Sequence, residues 1–213
     1  MSENYQLLLD KQIENILKSG YTPSLLLHSC CAPCSSYVLE YLSEYFNITV
    51  LYYNPNISSF EEFSKRAGEQ KRLINEMSFK NPVKLKICEY SNEDFSKIEA
   101  LRKNDREGGK ACEKCYRLRL EKSALYAKEN NFDYFTTTLS ISPLKSSEKL
   151  NAIGKELAEV YGVKYLFSDF KKKNGFKRST ELSKQFGLYR QNYCGCFFSK
   201  KEAEIREKIR SSL

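Results

Sequence analysis

Residues 24–53 read SLLLHSCCAPCSSYVLEYLSEYFNITVLYY. The apolar run at 24–29 predicts a short buried strand. Helical spacing follows over 35–46, with Val38, Leu39, Leu42 and Tyr45 recurring on one side. The β-branched and aromatic run at 48–53 predicts a second strand, which stops at Asn54-Pro55-Asn56. This strand–helix–strand order continues outward. Before it, residues 3–19 predict an amphipathic helix, with Tyr5, Leu8, Ile13, Ile16 and Leu17 partly on one face and Gly20 as its stop. After it, residues 60–78 are helical, with Phe63, Ala67, Ile74 and Met77 on one side, and 83–90 alternate as a strand. Helices are expected at 92–103 and 115–130, around a break at Gly108-Gly109. A Thr-rich strand is expected at 133–139, a helix at 146–161 and a strand at 163–168. A last helix starts at Ser199, where Glu202 three residues on makes a capping box. Strands alternating with helices predict an α/β protein, a parallel sheet covered on both faces in a three-layer sandwich. Ligands in such sheets lie beyond the carboxyl ends of the strands.

The length of 213 residues suits one domain, 1–213, with 1–20 as an N-terminal helix and 199–213 as a C-terminal one. No apolar run approaches the roughly 20 residues that cross a bilayer. The N-terminus shows no basic segment followed by an apolar one, so a secretory signal is not expected. The expectation is a cytoplasmic chain with no membrane partner, in a compartment that keeps thiols reduced. Thirty-five Lys and Arg against 27 Asp and Glu leave a net charge of +8. The segment 171–190 holds seven Lys/Arg and one Glu, with Phe176, Phe186 and Tyr189 interleaved. Such a segment suits a polyanion, since cations neutralise phosphates and aromatic faces stack on unpaired bases. Lys171, Lys172, Lys173, Lys177, Arg178 and Arg190 are the phosphate-binding candidates, with Arg117 and Arg119 as further ones. Leu182 and Phe186, at helical spacing, fit core contacts.

Eight cysteines in a reducing compartment need a role other than disulfides. Cys30, Cys31 and Cys34 follow the first strand, Cys112 and Cys115 form C-x-x-C, and Cys194 and Cys196 form C-x-C. Cys88 stands alone in an alternating strand and reads as a small packing residue. Three clusters at the ends of predicted elements point to metal or redox chemistry. The adjacent pair Cys30-Cys31 is awkward for one small tetrahedral zinc, whereas an iron–sulfur cluster offers separate iron corners. The first strand–helix turn is where nucleotide-binding sheets place a Gly-rich phosphate loop. Here it contains no glycine, and Pro33 removes a backbone donor, so a metal cradle fits better.

These motifs, with YYNPNI, GGKACEKCYRLRL, FTTTLSISPLKS, DFKKKNGFKRS and GLYRQNYCGCFFS, resemble the epoxyqueuosine reductase QueH family over about residues 22–200. The resemblance implies a fold related to adenine nucleotide alpha-hydrolases. It implies reduction of the epoxide of epoxyqueuosine, at the wobble position of tRNA, to the alkene of queuosine with loss of water. That step ends queuosine biosynthesis and requires an electron donor. The resemblance also implies a [4Fe-4S] cluster on Cys30, Cys31, Cys112 and Cys115, no cobalamin, and Cys194 with Cys196 as a redox-active pair. An additional mononuclear iron is associated with the family. Cys34, Cys194 or Cys196 could ligate it and polarise the epoxide C–O bond. Cys34, on the first turn of a helix, sits where the dipole favours a thiolate.

His28, the only histidine, precedes Cys30 by two residues and is a candidate proton donor or a structural imidazole. Asp169, at the end of a predicted strand, is a candidate acid, iron ligand or cap. Tyr193 is another candidate donor. Thr136, Thr137, Thr138 and Ser140 could bond the cyclopentane hydroxyls or simply reflect strand propensity. Three other readings stand beside this one. An iron–sulfur tRNA thiolase of the ATP-pyrophosphatase type needs an SGGxDS-like loop that the chain lacks. A zinc-stabilised RNA-binding module would be colourless. A thioredoxin-like dithiol oxidoreductase leaves Cys30, Cys31 and Cys34 without a role.

Overall fold

Leu25, Leu26 and Leu27 are all fully buried, which a strand achieves only with layers against both of its faces. In the computed structural model, which describes residues 3–212, they lie on strand β1 (Ser24–His28). The other strands are β2 (Asn47–Tyr52), β3 (Val83–Ile87), β4 (Tyr134–Thr137) and β5 (Lys164–Tyr165). They form one sheet of order β3-β2-β1-β4-β5, and every pairing is parallel. The helices are α1 (Tyr5–Ser19), α2 (Ala32–Leu42), α3 (Phe60–Glu76), α4 (Glu93–Arg102), α5 (Lys110–Glu129), α6 (Ser147–Tyr161), α7 (Gly175–Gln185) and α8 (Phe197–Ser211).

Side chains along a strand alternate between faces, and the core divides accordingly. Leu25 and Leu27 pack with Leu9 and Ile13 of α1 and with Val38, Leu39 and Leu42 of α2. Leu26 packs on the other side with Leu120, Ala124 and Ala127 of α5 and Leu150 and Ile153 of α6. The result is the expected three-layer α/β sandwich. Among the described residues, no helix is long and apolar enough to cross a membrane.

The sheet winds outward in both directions from β1. The connections after β1 and β4 therefore leave the sheet side by side on opposite faces, the crevice where such folds bind ligands.

The structure shifts several expected boundaries. α2 begins at Ala32 rather than 35, because Pro33 fits the first turn, where no N–H is required. α5 begins at Lys110 rather than 115, so its first turns carry both cysteines of C-x-x-C. β4 ends at Thr137, whose hydroxyl accepts from Leu139 N–H and turns the chain into a 3-10 turn, Thr138–Ile141. β5 is shorter than 163–168. After Leu166 N–H reaches Phe135 O, the Gln12 side chain takes over, accepting from Phe167 N–H and donating to Tyr165 O, each at 3.1 Å. This α1 glutamine covers the sheet edge in place of another strand.

The charged stretch near 175–185, which the sequence reading left without an element, is α7. The last helix begins at Phe197, and its cap is Cys196, whose Sγ accepts from Ser199 N–H at 3.4 Å; the expected cap Ser199 lies inside the first turn.

Candidate active site

Cys30 and Cys31 leave β1, and Cys34 lies on the first turn of α2. Their sulfurs lie within 4.8 Å of one another, and Cys30 Sγ is 3.8 Å from Cys31 Sγ. A tetrahedral site with Zn–S of about 2.3 Å has an S–S edge of about 3.8 Å. Adjacency therefore does not bar these two cysteines from sharing one ion, contrary to the expectation from sequence. The Cys31 and Cys34 thiols donate toward Cys30 and hold its pKa well below the usual thiol range. The bond to Cys30 pushes Cys31 up to about 12, and the bonds to Cys30 and Cys31 push Cys34 upward.

Cys112 and Cys115, one turn apart on α5, line a cavity with Cys194 and Cys196 from the loop between α7 and α8. Burial pushes Cys112 and Cys196 upward and Cys115 up to about 12. A second cavity, of about 200 Å³, is lined by Cys30, Cys31, Cys34, Cys194, Tyr193 and Arg190, among others. Cys194, Lys145 and Glu107 line both cavities. All seven motif cysteines thus converge on adjoining cavities beside the β1 and β4 exits. Cys88 lies just past β3, half-buried against the α5–α6 core, as its packing role predicts.

Side chains of α3 anchor the loop that carries C-x-C. Arg66, 1% exposed, donates to Cys194 O at 3.1 Å and to Glu62 at 2.7 Å, and lies 4.9 Å from the Tyr193 ring centre. Arg72 donates to Phe186 O and Gly187 O, and Glu69 accepts from Tyr189 N–H. The middle residue of the motif must be glycine. Gly195 has φ +138°, and a Cβ there would lie 2.9 Å from Asn56 Nδ2. Its own carbonyl accepts from Ser58 N–H at 3.1 Å.

Two cations face the thiols. Arg119 is fully buried, and its Nε donates to Cys115 O at 3.2 Å. Both of its terminal nitrogens are buried without a partner among the described residues. Its full burial removes it from the phosphate-binding candidates: Cys115 and Arg119 stand at i and i+4, on one inward face of α5. Arg117 points outward and pairs with Glu156. Burial pulls the Lys145 pKa down, but charge on Cys194 and Cys30 outweighs it and the net shift is upward, so the ammonium persists.

His28 is fully buried. Its Nε2 is 3.1 Å from Tyr53 O, which can only accept, so Nδ1 accepts from Thr137 Oγ1 at 2.9 Å. Burial, then the Arg119 charge, lower its pKa to about 3. The ring is a neutral strut joining the ends of three adjacent strands. Asp169 does not reach the thiols; it pairs with Lys171 at 2.6 Å and lines a separate cavity with Lys172 and Lys173. Thr136 donates to Leu166 O, and Ser140 bonds Ser168. Thr138 approaches a thiol, with its hydroxyl 3.9 Å from Cys30 Sγ.

In the basic segment, Lys173 pairs with Asp10, and Arg178 pairs with Glu40 and Glu181. Lys172 and Lys177 are exposed and make no ion pair among the described residues. Arg190 is exposed at the wall of the 200 Å³ cavity.

Sequence reasoning did not single out Arg66, Glu107 or Lys145. For Arg66 a signal existed: it shares the buried face of α3 with Phe63, Ala67 and Gln70, so a charge interrupts an apolar stripe. Lys145 lies in a surface-like turn after Pro143 and carried no such mark.

Residues 25–202 match the family model described as epoxyqueuosine reductase QueH. A Streptococcus pyogenes protein of that name is 40% identical over 201 residues, covering 93% of this chain and 78% of its own length. A Staphylococcus epidermidis one is 39% identical over 200 residues, covering 92% and 84%. A Thermotoga maritima one is 36% identical over 196 residues, covering 87% and 97%.

Proposed function

The chain belongs to the epoxyqueuosine reductase QueH family, and we propose how its cysteine-lined rim performs the family's reaction. The protein is an epoxyqueuosine reductase, an oxidoreductase of queuosine biosynthesis. Two electrons and two protons convert the epoxide of epoxyqueuosine in tRNA to the alkene of queuosine, and the oxygen leaves as water. The observation that carries the reading is the convergence of three separate cysteine motifs on two adjoining cavities that share Cys194 and Lys145.

The donor set suits an iron–sulfur group: buried soft thiols, with two cations beside them that lack a carboxylate partner among the described residues. Cys30, Cys31, Cys112 and Cys115 would hold a [4Fe-4S] cluster. Cys34, Cys194 or Cys196 would hold an additional mononuclear iron, unless Cys194 and Cys196 serve instead as a redox-active pair. When bound, the cluster supplies electrons and the iron supplies Lewis acidity, without cobalamin.

The chain's own groups supply the rest. The 200 Å³ cavity admits the cyclopentane ring, and Lys145 on its wall offers a proton and a positive charge to the departing oxygen. Tyr193, positioned by Arg66, is the neighbouring hydroxyl donor. Arg66 and Gly195 fix where Cys194 stands. His28, with both nitrogens engaged, transfers no proton, and Asp169 orders the lysine-bearing turn. Lys172, Lys177 and Arg190 bind tRNA phosphates, and a cytoplasmic donor supplies electrons.

One observation favours a second reading. The 3.8 Å separation of Cys30 and Cys31 sulfurs suits a single zinc ion, as in a zinc-stabilised RNA-binding module. Anaerobic purification with iron, sulfide and zinc analysis separates the two. The proposal expects a brown protein with at least four irons and four sulfides per chain, on the order of one cubane. A colourless protein with one zinc would overturn it.

A further inference from the structure

Arg119 is among the largest side chains in this protein that are completely enclosed. A buried guanidinium is normally paired with a carboxylate, because an uncompensated buried charge is strongly destabilising. Arg119 forms no ion pair among the described residues, and its one hydrogen bond is Nε–H to Cys115 O. Nη1 and Nη2 have no partner among the described residues, and the side chain lines the cavity shared by Cys112, Cys115, Cys194 and Cys196. The Tyr116 ring centre lies 5.9 Å away, at the outer limit of a cation–π contact. A second cation, Lys145, lines the same cavity and the adjoining one.

The geometry assigns Arg119 as a positioning residue for a net-anionic group in this cavity, held by its charge and by two forked N–H donors. The inference rests on the iron–sulfur reading above. A cubane core with two positive charges on four thiolates carries two negative charges overall, and Arg119 with Lys145 balances them. Taking up an electron adds a third negative charge. A buried cation with unpartnered donors in the same cavity stabilises that reduced state, and so raises the reduction potential. Such tuning suits a site that must accept single electrons yet deliver two to an epoxide.

The test compares Arg119→Met, which keeps the stem but loses charge and donors, with Arg119→Lys, which keeps the charge. Wild type and both variants are loaded anaerobically with iron and sulfide, and the midpoint potential is read by redox titration followed by EPR. Thermal unfolding of each metal-free full chain is followed by circular dichroism. The expectation for Arg119→Met is a potential lowered by at least tenfold in the reduction equilibrium, about 59 mV for one electron. Its metal-free unfolding midpoint stays at or above wild type, because an unpaired buried charge has gone. Arg119→Lys recovers most of the potential. Loss of the cluster from a well-folded Arg119→Met also supports the assignment, provided that Arg119→Lys retains it.

A wild-type potential in Arg119→Met overturns it, as does destabilisation of the metal-free chain together with an unchanged potential. If wild type itself takes up no iron and sulfide, the iron–sulfur reading has failed instead.

Discussion

At the scale of single residues, position in the chain and role in the site part company. His28 lies two residues from the first thiol, yet its ring spans Tyr53 O and Thr137 Oγ1 and is sealed from solvent. The depressed pKa has a consequence for stability. Between pH 6.5 and about 3 the unfolded histidine binds a proton that the folded one refuses. Folding stability is therefore full above pH 6.5 and falls as the pH drops through that window, by at most about 1.4 kcal/mol per unit. Replacement by Gln removes this contribution. Denaturant titrations of the metal-free chain at several pH values should show a flatter slope for His28→Gln than for wild type. Equal slopes would mean that the ring is not held neutral by the fold.

Cys34 and Arg119 make the same point. The first turn of a helix favours a thiolate at Cys34, and Arg119, next to the C-x-x-C, is a phosphate-binding candidate from sequence. In the fold two neighbouring thiols push Cys34 upward, and Arg119 is fully buried against a thiol-lined cavity.

At the scale of elements, alternation and apolar spacing were enough to place the five strands and most of the helices, because each of those patterns reports burial directly. What escaped was α7, whose surface is dominated by charge, and the early starts of α2 and α5, which depend on turn chemistry around Pro33 and Gly109. The cysteine motifs were legible because C-x-x-C and C-x-C mark themselves. Arg66, Glu107 and Lys145 were not, since only tertiary packing brings α3, the loop before α5 and the turn before α6 against the thiols.

The structure also sorts the basic segment. Lys173 is held by Asp10 and Arg178 by Glu40, whereas Lys172 and Lys177 are exposed and make no ion pair among the described residues. The double change Lys172→Glu with Lys177→Glu should weaken tRNA binding and reduce the salt slope by about one per lysine. Lys173→Ala should change little. Binding measured across a salt series checks this, and equal losses from all three positions would show that the ion pairs do not decide the contact.

At the scale of the molecule, the parallel sheet places two motif exits side by side, and α3 and α5 bring the remaining motifs to them. One rim thereby gathers thiols from positions 30 to 196, a buried arginine and a half-buried lysine, and a second cavity beside a basic surface. The net charge of +8 suits a polyanionic substrate.

The most direct measurement is reduction of tRNA carrying epoxyqueuosine by the anaerobically loaded protein with a chemical reductant, followed by nucleoside analysis. The prediction is conversion to queuosine by wild type and loss of that conversion in Cys194→Ser. Full conversion by metal-free protein, or undiminished conversion by Cys194→Ser, would contradict the account.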